Sequence, residues 1–184
     1  MAERYCKSYY AATANPVAPF CRLEGDLDVD VAIIGGGFTG VSTALGLAEK
    51  GVSVALLEAN LIGWGASSRN GGQITGSLSG DRAMLRQFRR VLGDGVEDFV
   101  WNLRWRGHEI IRRRVEKYGI ACDLKFGHMH AAFKPSHVGE LEEMYRLALS
   151  HGMGGEVELV RGAAVRDIVD TDLYVAGLIN RRNM

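Results

Sequence analysis

Hydrophobic positions along the chain fall into runs of two different periods. Val31 to Ile34 is a short apolar, β-branched run that begins behind Asp30, and Val52 to Leu57 is a second that ends on Glu58. Between them Val41, Ala44, Leu45 and Ala48 recur at spacings of three and four, which predicts one face of a helix from about Phe38 to Lys50. The pattern is strand, helix, strand, with the first strand of the composition expected inside a parallel sheet. Gly51 stands where a left-handed helix stop is usual. Helical periodicity returns over Arg82–Leu92 and Val96–Tyr118, where Val96, Val100, Leu103, Ile110, Ile111, Val115 and Tyr118 mark the expected core stripe. Ala121 to Phe133 alternates like a strand. Val138, Leu141, Met144, Tyr145 and Ala148 predict a helix before a turn at Gly152–Gly155. Glu156–Val160 reads as a strand, Arg161–Asp170 as a short helix and Tyr174–Ile179 as an extended segment. The expected organisation is an extension over 1–28, a βαβ core with its following loop over 29–80, and a helical segment with a partial second domain over 81–184.

The glycines after the first strand give this pattern a chemical meaning. Gly35 permits a tight turn out of the strand, Gly37 leaves room for a pyrophosphate, and Gly40 lets the helix pack closely on the sheet. Phe38 and Thr39 open that helix, whose unpaired N–H groups and partial positive charge suit a diphosphate. Seventeen residues separate Gly40 from Glu58. A carboxylate at the end of the second strand accepts hydrogen bonds from both hydroxyls of an adenosine ribose and repels a 2′-phosphate. Glycines after an apolar strand are common in themselves; strand, helix stop, second strand and terminal acid together specify a dinucleotide site.

The segment after Glu58 favours flavin over nicotinamide. A nicotinamide domain tends to pass from its second strand into another helix, whereas this chain continues as Gly63-Trp64-Gly65-Ala66-Ser67-Ser68-Arg69-Asn70-Gly71-Gly72-Gln73. Backbone of this kind can wrap a phosphate and lie against a flat ring, and Arg69 can add a charge-assisted bond. The plain alternative is a solvated surface loop.

These motifs, with Tyr9-Tyr10-Ala11-Ala12-Thr13-Ala14-Asn15-Pro16 near the start and Asp172-Leu173-Tyr174-Val175-Ala176-Gly177-Leu178 near the end, resemble the amino-terminal part of FAD-dependent oxidoreductases of the D-amino-acid oxidase and glycine oxidase group, in particular the gamma-glutamylputrescine oxidoreductases. The resemblance covers nearly the whole chain, and Ser68 departs from the group's usual glycine. It implies an α/β fold, a Rossmann-like FAD-binding domain joined to part of an α+β substrate domain. Members of the group are longer, so the chain is expected to be truncated, a fragment of doubtful independent activity.

The same resemblance implies that Gly35, Gly37, Phe38, Thr39 and Gly40 approach the FAD pyrophosphate and that Glu58 holds the ribose. Ser67, Arg69, Asn70, Gly71 and Gly72 would follow the pyrophosphate toward the isoalloxazine, with Gln73 near the ring. The implied reaction is oxidation of an amine or amino acid at a CH–NH group to an imine and then an aldehyde. Dioxygen is the expected electron acceptor; another acceptor and a non-catalytic remnant are the alternatives. No catalytic residue is assigned.

Composition narrows the remaining choices. Basic and acidic residues cancel at 22 each, 47% of residues are hydrophobic, and no signal-peptide core or membrane-length apolar run is present, which fits a soluble cytoplasmic protein. Residues 82–117 carry a local excess of basic groups, including Arg86, Arg89, Arg90, Arg112, Arg113 and Arg114, but solvated or ion-paired helix faces explain it better than nucleic acid. Cys6, Cys21 and Cys122 lack metal-ligand spacing and read as reduced thiols. His128 and His130 share one strand face and are expected to be an ordinary strand pair rather than pocket lining or metal ligands, since no third ligand follows.

Overall fold

The computed structural model describes residues 5–16, 20–76 and 81–184, without the side chains of residues 81 and 82. The expected boundary at residue 80 lies outside the described residues. The chain forms two compact units, residues 1–72 and 73–184.

The first unit is built on β1 (Val31–Ile34), α2 (Phe38–Ala48) and β2 (Val54–Leu57), preceded by the five-residue α1 (Tyr9–Thr13). β1 and β2 pair in parallel with Val31 opposite Val54 and Ile34 opposite Leu57. Asp30 fixes the start of this ladder by accepting the Ser53 N–H at 2.9 Å. α2 ends two residues before the expected Lys50, in a two-bond stop: the Val52 N–H reaches Leu47 and the Gly51 N–H reaches Ala48, with Gly51 at φ +78°.

Burial in this unit differs from the expectation. β1 is not enclosed on both faces: Val31 and Ile33 are half-buried, whereas Ala32 and Ile34 are exposed, Ile34 by 81%. On α2, Ala44 and Leu45 are half-buried, but Val41 and Ala48 are exposed. Two strands offer too little sheet to cover the whole apolar stripe, and one face of β1 lies open.

The second unit contains α3 (Asp81–Leu92), α4 (Val96–Tyr118), β3 (His128–Ala132), α5 (Val138–Ser150), β4 (Val157–Arg161) and β5 (Ala176–Asn180). β5 lies between β3 and β4 and is antiparallel to both, so β3 and β4 run parallel to each other and α5 joins them. Gly119, at φ +57°, closes α4. β3 is shorter than the expected Ala121–Phe133, because Asp123 (φ +51°) and Gly127 (φ +104°) take left-handed conformations that interrupt an extended chain.

The core joins Trp105, Ala132, Leu141, Ala148, Met153, Val157, Ala176 and Leu178. The buried side of α4 follows the expected stripe at Val96 and Val100 but then passes to Trp105 and His108, while Leu103, Ile111 and Tyr118 are exposed. The Trp105 ring lies over Gly76, where a Cβ would come within 2.5 Å of it. Residues 73–76 are fastened to this unit by paired Ile74–Met184 backbone bonds, by the Gly76 N–H on Asn183 Oδ1, and by contact of His108 Nε2 with the Ile74 carbonyl at 3.0 Å. No helix among the described residues is long and apolar enough to cross a membrane.

Candidate cofactor site

The turn between β1 and α2 places three backbone features at one end of the parallel pair. Gly35 has φ +101°, a conformation that strains any residue with a side chain, and its N–H extends the ladder to Leu57 at 2.7 Å. A Cβ on Gly36 would meet Ile62 at 2.6 Å, and one on Gly40 would stand 1.9 Å from the Gly35 carbonyl oxygen. Gly40 therefore sets how closely α2 approaches the turn. The first intrahelical bond runs from Val41 to Gly37, which leaves the Thr39 and Gly40 N–H groups at the helix start without intrahelical acceptors. The Phe38 N–H is instead taken by Ser67 Oγ at 2.9 Å, so a residue 29 positions later is brought to the amino end of α2.

Glu58 follows β2 and folds back over the glycine turn. Its Oε2 accepts the Gly36 N–H at 2.7 Å and its Oε1 accepts the Asn60 N–H at 2.9 Å. These bonds, Asn60 first and then Gly36, hold the carboxyl below the ordinary carboxylate value of 4.5. Each oxygen retains a further lone pair for an external hydroxyl. An ionised acid beside free helix-start N–H groups, with no side chain on the turn, fits the ribose and diphosphate of a dinucleotide.

The loop over 61–72 is internally bonded rather than loose. A 3-10 turn at Ala66–Ser68 holds Ser68 without positive φ, so serine fits where the resembling family has glycine. The Asn70 Nδ2 donates to the Ser67 carbonyl at 2.9 Å, and its Oδ1 accepts the Gly72 N–H at 2.8 Å. Arg69 is exposed and stacks over Trp64, 4.8 Å from the ring centre. Gly35, Gly37, Phe38, Thr39, Gly40, Glu58, Ser67, Arg69, Asn70, Gly71 and Gly72 all belong to the first unit; Gln73 belongs to the second. Two residues with a place at this site carried no assigned role in the sequence: Tyr5 donates to the Ile62 carbonyl and Tyr10 to the Gly71 carbonyl, each at 2.7 Å. The only signal was the aromatic motif at Tyr9-Tyr10.

In the second unit, His128 and His130 share a face of β3, their ring centres 4.6 Å apart and edge to face. Burial, then the neighbouring His128, lowers the His130 pKa from 6.5, against an opposing pull from Glu140. Among the described residues no cluster of three or more His, Cys, Asp or Glu side chains is placed to hold a metal ion. An open groove of about 600 Å³ beside α4 includes Trp101, Arg106, Arg113, His151 and Arg182, and Arg182 is paired with Glu109 at 3.3 Å. The three cysteines are free, and Arg89 is paired with Glu97 at 3.0 Å.

A parallel βαβ unit with glycines at its turn and an ionised acid after its second strand has the form of a dinucleotide-binding domain. The model of the family described as FAD dependent oxidoreductase matches residues 30–183, and the chain belongs to that family. It is 38% identical over 176 residues to the gamma-glutamylputrescine oxidoreductase of Escherichia coli strain K12, covering 96% of this chain and 40% of that protein. Among solved structures, glycine oxidase from Bacillus cereus aligns with a TM-score of 0.58 at 21% identity, over 85% of this chain and 39% of its own. L-amino acid deaminase from Proteus vulgaris aligns with a TM-score of 0.62 at 22% identity, over 88% and 40%. These two share the fold. The chain thus spans about 40% of the length of the relative and structures to which it is similar. FAD is the family's cofactor.

Proposed function

We propose that the chain supplies the FAD-binding part of an amine oxidoreductase that acts on a CH–NH group, with gamma-glutamylputrescine as the substrate. The observation that carries this reading is Glu58, held ionised over the Gly36 N–H at the start of α2. The choice of substrate is supported by the relative named gamma-glutamylputrescine oxidoreductase, which is similar along 96% of this chain. In this reading Glu58 accepts the ribose hydroxyls, the Thr39 and Gly40 N–H groups face the pyrophosphate, and Gly35 and Gly37 keep side chains out of its path. Ser67, Arg69, Asn70, Gly71 and Gly72 follow the pyrophosphate, and Gln73 stands near the ring.

Bound FAD supplies a two-electron acceptor. The substrate carbon loses a hydride equivalent and its amine a proton, giving an imine that water converts to an aldehyde and ammonia. Dioxygen takes up the two electrons and two protons as hydrogen peroxide.

The test is the visible spectrum of the chain after FAD addition and gel filtration, followed by anaerobic mixing with gamma-glutamylputrescine and then admission of air. Co-eluting flavin, bleached by the amine and restored by air with release of peroxide, is the expected result. A colourless protein peak overturns cofactor binding by this chain. Flavin that the amine does not bleach overturns the substrate, and bleached flavin that air does not restore points to an acceptor other than dioxygen.

A further inference from the structure

The amino-terminal segment reaches both ends of the 61–72 loop. Tyr5 donates to the Ile62 carbonyl across 57 positions of sequence, and Tyr10 donates to the Gly71 carbonyl across 61. The opposite sides of the same two planar peptide units are also held. The Gly63 N–H donates to the Gly36 carbonyl at 2.7 Å, and the Gly72 N–H donates to Asn70 Oδ1 at 2.8 Å. Each end of the loop is thus clamped by its carbonyl and by its amide. The Tyr10 hydroxyl lies 3.1 Å from where a Cβ on Gly72 would stand, so its ring rests against that glycine, which has φ +72°.

α1 is organised to present Tyr10. Five residues make too short a helix to persist by themselves. Ser8 Oγ caps it by accepting the Ala11 N–H at 3.1 Å, Thr13 Oγ1 bonds back to the Tyr9 carbonyl at 2.9 Å, and the Tyr9 ring meets Tyr10 edge-on at 5.8 Å. The Tyr9 hydroxyl, on a residue 76% exposed, makes no hydrogen bond among the described residues. The two neighbouring tyrosines therefore differ: one packs, the other packs and bonds.

We infer that Tyr5 and Tyr10 are positioning residues for the cofactor, a strap that fixes both ends of the 61–72 loop so that Ser67, Asn70 and the Gly71–Gly72 backbone are held in place before FAD arrives. The inference rests on the FAD reading proposed above. Preordering the loop removes an ordering cost from binding, so the strap is read in affinity. Replacing tyrosine by phenylalanine deletes the hydroxyl and keeps the ring.

The experiment uses the 184-residue chain with Tyr5→Phe, Tyr10→Phe, both together, and Tyr9→Phe as control. FAD affinity is followed by quenching of flavin fluorescence, loop order by amide hydrogen exchange without FAD, and global stability by thermal unfolding. Each of Tyr5→Phe and Tyr10→Phe is expected to weaken FAD binding roughly 2- to 10-fold, the range for one neutral hydrogen bond. Exchange should quicken over residues 61–72 alone, with an unchanged midpoint and no effect of Tyr9→Phe. Unchanged loop exchange overturns the strap whether or not FAD binds. Faster loop exchange with unchanged affinity overturns the cofactor role, and a lower midpoint with faster exchange throughout the unit reduces the tyrosines to general packing. If the unsubstituted chain takes up no FAD, the proposed function and the cofactor role both fall, and exchange still decides whether the strap exists.

Discussion

The two units of this chain are stabilised in opposite ways. In the first, Gly36 is the only buried residue among those described, and order comes from backbone and side-chain hydrogen bonds converging on a glycine turn. In the second, a continuous cluster of buried apolar side chains joins the three-stranded sheet to α5 and to Trp105 of α4. Apolar burial contributes roughly 25 cal/mol per Å² and accumulates over a whole cluster, whereas each hydrogen bond, exchanged against water, nets only about 0.5–1.5 kcal/mol. The second unit therefore carries its own stabilisation, and the first has the larger share to gain from whatever binds to it. The proposed binding residues, all but Gln73, sit on the less self-sufficient scaffold.

The contrast breaks most visibly at Trp105. Trp105→Ala removes a ring that is 5% exposed and lies over Gly76, and should cost the second unit about 3–5 kcal/mol, the range for truncating a buried aromatic. Denaturant unfolding gives the loss, and hydrogen exchange should confine it to residues 73–184. The first unit should respond instead to ligand: FAD at about one hundred times its dissociation constant adds about 2.7 kcal/mol by mass action. Amide exchange should slow over β1, α2 and the 61–72 loop; equal protection of both units would remove the distinction.

Gly40→Ala comes next. Its Cβ meets the backbone oxygen of Gly35, which cannot rotate away, so about 1–3 kcal/mol should be lost from the first unit, together with FAD affinity. A variant that unfolds at the same denaturant concentration as the parent would show that α2 can shift without cost.

Smaller effects separate the units by pH. Glu58 has a folded pKa below 4.5, so its contribution is intact above that value and is lost as pH falls through the folded pKa. FAD affinity should drop over that acidic interval, and Glu58→Gln should weaken binding at neutral pH and flatten the decline. His130 also has a depressed pKa, so the fold favours its neutral ring: stability of the second unit is intact above 6.5 and declines as pH falls from there toward the folded value. Thermal unfolding of His130→Leu between pH 7.5 and 5 should show a shallower decline than the parent.

Much of the first unit was legible because its signals are local. The glycines at 35 and 40 and the stop at Gly51 each meet a backbone demand within a few residues, and the acid at 58 directly follows the apolar run of β2. Periodicity also located α4 at Val96–Tyr118. The buried side of α4 was legible only at Val96 and Val100; Trp105 and His108 were not, because they are selected by the 73–76 segment and the carboxyl-terminal residues, which lie far away in sequence. The strand at 121–133 was overextended for a related reason: alternation shows which residues suit a sheet, not where Asp123 and Gly127 turn the backbone.

By itself the sequence determined the order of elements, the glycine turn and the acid that follows β2, because backbone sterics and hydrophobic period act over short distances. The tertiary structure decided that Ser67 reaches the Phe38 N–H, that Glu58 folds onto Gly36, and that tyrosines 57 and 61 positions away hold the loop by its carbonyls. It also decided that the second unit holds the buried core while one face of β1 lies open. Such contacts depend on how distant segments meet in space, which no local pattern encodes.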